Sequence, residues 1–186
     1  PRPCSPSPAE SIPRLISNRC APALPVLRNK SLHSCNTLAL EARAAAEARI
    51  TDPGQLGDAL AWAAEHKLPV IPLGEGSNVI FAGDLNALIL RLETVGIEVL
   101  EANVDEVLLR VAAGENWHQL VRHTLQQGWY GLENLALIPG TVGAAPIQNI
   151  GAYGVELAPF VAAVHAVNSS DGSSLSLQGA ECAFGY

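Results

Sequence analysis

Two glycine-rich segments carry the residue types in this chain that could do chemistry. The first, Pro72-Leu73-Gly74-Glu75-Gly76-Ser77-Asn78, places two glycines two apart directly after the apolar run Val70-Ile71. Without Cβ atoms the backbone can approach an oxyanion and turn successive N–H groups toward it; Ser77 and Asn78 add a hydroxyl and an amide that donate without a formal charge. The segment lacks the lysine of a P-loop and continues into Val79-Ile80-Phe81 rather than into a long helix, so it is neither a P-loop nor a Rossmann turn. An ordinary tight turn between two strands is the competing reading.

The second segment, Ile138 to Gly154, is 17 residues without a charge. It is too irregular for one helix or strand, and long irregular loops inside compact domains are usually functional. Gly140 and Gly143 frame a short turn of helix whose N–H groups would face an anion, while Ile138, Ile147 and Ala152 could pave a flat ring system. The alternative is a buried structural loop in which Gln148 and Asn149 satisfy backbone groups. Glu133 and Asn134, just upstream, stand between ligand contact and loop capping. His118, His123 and Trp117 read as surface or packing residues.

Composition limits what such loops could hold. The chain has 186 residues with net charge −7, and no run of Lys or Arg exists to neutralise nucleic acid or an anionic membrane. A positive field for phosphates must therefore come from backbone N–H groups. Cys4, Cys20, Cys35 and Cys182 show none of the paired spacings of zinc or redox sites, so no metal is expected and Cys35 and Cys182 are expected to be free thiols. No signal-peptide pattern and no membrane-length apolar run is present, which points to the cytoplasm. A start at Pro1 and the absence of Met suggest a piece of a longer protein.

The elements that must position the loops follow from periodicity. Residues 1–34 read as a disordered Pro-rich leader. Asp52-Pro53 reads as an N-cap with proline at the first helical position, followed by Leu56, Ala59, Leu60 and Ala63 at helical spacing and closed by His66 and Lys67. Val70–Leu73, Val79–Phe81 and Leu88–Leu90 read as strands, completing a first unit at 35–95. A second unit, 96–186, opens with a hairpin of Ile97–Glu101 and Val107–Ala113. Asn116 then caps a helix presenting Trp117, Leu120, Val121, Thr124 and Leu125 on one face, with Gly128 past its end. Phe160–Val167, a turn at Ser169–Gly172 and Ser174–Leu177 complete this unit.

Asn36-Thr37-Leu38, Pro72–Phe81, Ala113–Trp117, Gly131–Tyr153 and Phe184-Gly185-Tyr186, in this order, resemble the family of bacterial UDP-N-acetylenolpyruvoylglucosamine reductases, also called UDP-N-acetylmuramate dehydrogenases. The block from Gly131 to Gly154 is the most specific part. The resemblance implies an α+β, two-subdomain FAD-binding domain of the vanillyl-alcohol-oxidase-like (PCMH-type) kind, with a substrate domain to follow. It implies that NADPH reduces FAD, and that UDP-N-acetylglucosamine enolpyruvate then takes a hydride to give UDP-N-acetylmuramate, a peptidoglycan precursor serving cell-wall biogenesis, cell shape and division.

By position the resemblance assigns Gly74, Glu75, Gly76, Ser77 and Asn78 to the FAD pyrophosphate, approached from the other side by Gly140, Thr141 and Gly143. Ile138, Ile147, Asn149, Ala152 and Tyr153 fall to the rest of the cofactor, and Tyr186 to the substrate side. The family's arginine, serine and late glutamate would follow Tyr186, so a chain with these residues alone is expected to retain FAD weakly or not at all and to oxidise no NADPH. No histidine lies in either glycine loop, which implies noncovalent FAD. A monomer is expected. Gly76→Trp is expected to obstruct the pyrophosphate while leaving the fold near normal. A flavin-dependent oxidase of the same fold and a catalytically silent nucleotide-binding module are the alternatives.

Overall fold

The computed structural model describes residues 24–185. Its first half is one mixed sheet built from β1 (Val26–Ser31), β2 (Arg43–Ile50), β3 (Val70–Pro72) and β4 (Leu85–Leu92), with helix α1 (Gln55–Glu65) between β2 and β3. Strand order is β1-β2-β4-β3; β1 runs antiparallel to β2, while β2 and β3 both run parallel to β4.

The central strand β2 is alanine-rich, a composition that leans toward helix rather than strand. Tertiary packing decides otherwise. Ala46, Ala48 and Ile50 bury against Ala59 and Ala63 of α1 and Leu88 and Leu90 of β4, and their small side chains let the helix sit close to the sheet. On the opposite face Glu47 is buried, and Arg49 donates to it at 2.9 Å. The Glu47 carboxylate, first by hydrogen bond and then by charge, raises the Arg49 pKa above its usual value.

Several expectations need correction. The leader assigned to 1–34 ends earlier, because β1 begins at Val26 and pairs Val26 with Ala48 and Lys30 with Ala44; residues 1–23 lie outside the described residues. β1 is a charged edge strand, Val-Leu-Arg-Asn-Lys-Ser, held by pairing along the alanines of β2 and by Val26, which packs on the core they form. Val79–Phe81 is not a strand. Val79 and Phe81 pack without a pairing partner on the core of Leu32, Cys35, Ala42, Ala44, Leu73 and Ile89. Asp52 and Pro53 precede α1 rather than cap it: Asp52 Oδ1 accepts from the Gly54 N–H at 2.7 Å, and Gly54 is the N-cap.

The second half carries three two-stranded sheets: β5 (Ile97–Ala102) with β6 (Val107–Val111), β7 (Gly151–Ala152) with β8 (Val155–Glu156), and β9 (Ala163–Val167) with β10 (Ser174–Gln178). Helix α2 (Trp117–Gln126) is capped by Asn116, whose Oδ1 accepts from the Gln119 N–H, and Gly128 beyond it takes φ +77°. Its inner face is Trp117, Leu120, Val121 and Thr124; Leu125, expected on that face, is 38% exposed. The strand expected from Phe160 starts only at Ala163, because Ala158–Phe160 forms a 3-10 turn with Pro159 inside it. Among the described residues Cys35 and Cys182 are free thiols, no helix is long and apolar enough to cross a membrane, and no group of three His, Cys, Asp or Glu gathers to hold a metal.

Candidate functional site

The first glycine loop leaves the sheet at the end of β3, where the Leu73 N–H donates to the Leu90 carbonyl at 2.9 Å and the Leu73 side chain is buried. Beyond it, the backbone N–H groups of Gly74, Glu75, Gly76, Ser77 and Asn78 donate to no acceptor among the described residues. Successive unspent donors at a strand end are the raw material of an anion-binding nest. Gly76 at φ +71° makes the turn possible, and its carbonyl accepts from the Thr37 N–H, tying the loop down to the segment after β1.

The second loop lies against the first and is held from behind by the start of α2. The Gly143 N–H donates to the Ala113 carbonyl at 2.8 Å, Val142 N–H to Glu115 at 2.8 Å, and Trp117 N–H to the Gly140 carbonyl at 3.0 Å. A Cβ on Gly143 would lie 2.7 Å from the Ala113 Cβ, so glycine is required for this approach. Underneath, Ala145, Ile150 and Leu157 join Trp117, Leu120, Val121 and Leu135 in one core. Trp117 Nε1 donates to the Leu135 carbonyl and His118 Nδ1 accepts from the Leu137 N–H, so the helix carries the segment upstream as well.

Three contacts join the loops. Glu75 Oε2 accepts from the Gly140 N–H at 3.0 Å, Ser77 Oγ donates to the Pro139 carbonyl at 3.5 Å, and Asn78 Nδ2 donates to Gln148 Oε1. A Cβ on Gly74 would lie 3.2 Å from Thr141 Oγ1, which shows how closely the loops approach. Between them is a cleft of about 370 Å³ lined by Asn78, Ile138, Gln148, Ile150 and Gly151. A larger concavity, about 540 Å³ and lined by Ala158, Val161 and Phe184 among others, contains neither loop.

The expected site residues separate into groups. The N–H groups of Gly74 to Asn78 have no acceptor among the described residues. Gly140 and Gly143 do not frame a helix with free N–H groups, because both N–H groups are consumed inside the protein; the helical turn is at Ala145–Gln148, and Thr141 keeps an N–H with no acceptor among the described residues. Ile138 reaches the cleft. Ile147 and Tyr153 are 80% and 89% exposed, Ala152 is half-buried in β7, and none of the three lines the cleft. Asn149 is 2% exposed and fully used: at φ +42° it donates to Glu156 Oε2 and accepts from the Ala158 N–H. Tyr186 lies outside the described residues.

The sequence did not point to Gln148 or Ile150 as cleft residues, nor to Asn116 as more than a helix cap. Their position inside or beside the uncharged block was the available signal. Glu133 resolves as a loop cap, accepting from the Gly131 N–H at 2.6 Å. No Lys or Arg lies in either loop, so any anion held there would have to be met by backbone N–H groups and uncharged side chains.

Residues 44–178 match the family described as FAD binding domain. UDP-N-acetylenolpyruvoylglucosamine reductase of Pseudomonas fluorescens (strain Pf0-1) is 43% identical over 164 residues, 88% of this chain and 48% of that protein. The chain spans about half the length of the curated relatives it matches. Among solved structures, UDP-N-acetylenolpyruvylglucosamine reductase from Thermus caldophilus aligns with TM-score 0.67 and 26% identity, over 88% of this chain and 55% of that one. Cholesterol oxidase from B. sterolicum aligns with TM-score 0.57 at 16% identity, over 92% of this chain and 35% of that one, a likeness of fold alone.

Proposed function

Because this chain belongs to the FAD-binding domain family, we propose that it holds FAD noncovalently between its two glycine loops as the cofactor-binding part of a UDP-N-acetylenolpyruvoylglucosamine reductase. Its α+β fold is the vanillyl-alcohol-oxidase-like, PCMH-type one. On this reading the two subdomains divide between residues 95 and 96; the ending of the first sheet with Leu85–Leu92 and the opening of the next hairpin at Ile97 support it. The observation that carries the reading is the row of unspent N–H groups from Gly74 to Asn78 in a loop bonded to an uncharged second loop. These residues fit a flavin dinucleotide: five backbone donors suit a diphosphate in a chain of net charge −7, and the apolar lining of Ile138 and Ile150 suits a ring system.

FAD, when bound, supplies hydride transfer between NADPH and the enolpyruvyl group of UDP-N-acetylglucosamine enolpyruvate. The chain's own work is to bind and orient: Gly74–Asn78 and Thr141 hold the diphosphate by backbone N–H groups, and Ile138 with Ile150 walls the cleft. Gln148 closes the cleft from the second loop through Asn78. The product, UDP-N-acetylmuramate, feeds peptidoglycan synthesis, which places the protein in the cytoplasm and in cell-wall biogenesis, cell shape and division; it acts as a monomer without nucleic-acid partners.

Titration of the chain with FAD, followed by quenching of flavin fluorescence, tests the site. Asn78→Asp places a carboxylate among the N–H donors and should weaken FAD binding by about tenfold or more, the scale of one unfavourable close charge. Equal affinity would remove the loop from the site. Joined to the remaining half of a matched relative, the chain should turn over NADPH continuously only when the enolpyruvyl substrate is present; turnover with another donor and no need for NADPH would favour the flavin oxidase alternative.

A further inference from the structure

Of the three contacts between the glycine loops, the one at Glu75 is part-buried and the other two are exposed. Its two carboxylate oxygens have separate partners: Oε1 accepts from Asn116 Nδ2 at 2.7 Å and Oε2 from the Gly140 N–H at 3.0 Å. Asn116 is itself fixed, because Oδ1 caps α2 by accepting from the Gln119 N–H at 3.0 Å, which turns its NH2 group toward Glu75. A continuous chain of hydrogen bonds therefore runs from the helix through Asn116 and Glu75 to Gly140. Gly140 sits at φ +128°, a conformation open to glycine and strained for any other residue.

A carboxylate in a loop that receives a diphosphate opposes binding by like-charge repulsion, so its presence needs a compensating role. Charge-assisted bonds are about twice as strong as neutral ones, and a carboxylate accepts from two donors at once where an amide carbonyl would have to share one oxygen. Resting on the reading of these loops as the FAD site, we infer that Glu75 is a positioning residue whose carboxylate latches the first glycine loop to the second. It sets the separation between the N–H groups of Gly74–Asn78 and the cleft wall at Ile138, and its side chain makes no contact with the cofactor. The loops are thus held ready before FAD arrives, and binding does not have to order them.

The test compares the chain with its Glu75→Ala and Glu75→Gln variants by amide hydrogen exchange without cofactor and by FAD titration. In Glu75→Ala, exchange at Gly140 should quicken about tenfold or more, the factor expected for losing a hydrogen bond to a charged acceptor, with Leu88–Leu90 in the core sheet keeping their protection. FAD affinity should fall by a similar factor. Glu75→Gln keeps one acceptor oxygen and should lie between the two, which a general loss of folding would not produce. Unchanged exchange at Gly140, or faster exchange with unchanged FAD affinity, overturns the latch. Tighter FAD binding in Glu75→Ala also overturns it, showing the carboxylate to be a stand-in anion that the diphosphate displaces. If FAD binds neither the unaltered chain nor the chain joined to the remaining half of a matched relative, the cofactor reading fails, while the exchange rates still decide whether Glu75 holds the loops.

Discussion

The carbonyl oxygen of Cys35 occupies the space in which any side chain at Gly76 would begin. A Cβ there would collide with that oxygen and lie 2.9 Å from the Asn36 Cα, and the residue stands at φ +71°. Gly76→Ala should destabilise the protein by about 2–4 kcal/mol, from a strained backbone together with overpacking against immobile main chain. Urea unfolding measures this; a loss under about 1 kcal/mol would show that the loop relaxes away from Cys35. Gly76→Trp therefore does not leave the fold near normal, and FAD loss in that variant would not isolate the pyrophosphate contact.

Trp117 joins the core beneath the second loop to the segment leading into it, through the hydrogen bond from Nε1 to the Leu135 carbonyl at 2.8 Å with both residues buried. Trp117→Phe keeps most of the apolar volume and leaves that carbonyl without its donor. A stability loss of about 1–3 kcal/mol is expected. The same unfolding experiment should give a far smaller change for Leu125→Ala, since Leu125 faces outward from the same helix.

Local signals were the legible ones. Asn116 as the cap, Gly128 after the helix and the β5–β6 hairpin rest on residues within a few positions of one another, and the sequence indicates all three. β2 and β1 were not legible. Arg43–Ile50 has the composition of a helix and becomes a strand because its alanines pack against α1 and β4, and β1 pairs along those alanines with only Val26 and little else apolar to announce it. The site divides the same way. Glycines two apart after a strand announce the N–H donors, but the Glu75–Gly140 bond spans a separation of 65 residues, and no local pattern signals it.

Arg28 on β1 and His66 at the end of α1 fix one another's chemistry. Arg28 Nη2 lies 2.8 Å from His66 Nε2, and a guanidinium can only donate, so Nε2 accepts; Nδ1 lies 2.8 Å from the Trp62 carbonyl and so donates. His66 is then the neutral Nδ1–H tautomer, stacked on Trp62 with ring centroids 3.8 Å apart. Long-range proton–nitrogen spectra should show this tautomer, and Arg28→Ala should release it toward the Nε2–H form. Finding Nε2–H in the unaltered protein would refute the arrangement.

Acid should loosen the turn that opens the second-loop region. The hydrogen bond from the Gly131 N–H, and then that from its own N–H, holds the Glu133 carboxyl below its usual pKa. A depressed pKa in the folded state contributes stability that is present above the unfolded value and lost as pH falls through the folded one. The Gly131 amide resonance should therefore stay constant through neutral and mildly acidic pH and move only below the ordinary glutamate range. A Gly131 titration at or above that range would contradict the contact.

Asn149 tests whether the second loop depends on an uncharged amide rather than on shape alone. It is buried, in a left-handed conformation that Asp tolerates nearly as well as Asn, and its Nδ2 donates to Glu156 Oε2 at 2.8 Å while Oδ1 accepts from the Ala158 N–H at 3.0 Å. Asn149→Asp keeps volume, backbone preference and the acceptor toward Ala158, and it replaces the donor toward Glu156 with a second carboxylate. Two facing carboxylates cannot both ionise at ease, so the variant should lose about 2–4 kcal/mol at neutral pH. One proton shared between them restores a donor. Since the pair takes up that proton more readily folded than unfolded, the loss should shrink as pH falls into the carboxylate range. Asn149→Ala removes the bond without adding charge and should show no such recovery. Thermal unfolding of both variants across pH separates the two; equal pH profiles would mean that Glu156 swings away from Asn149 and that shape alone holds the loop.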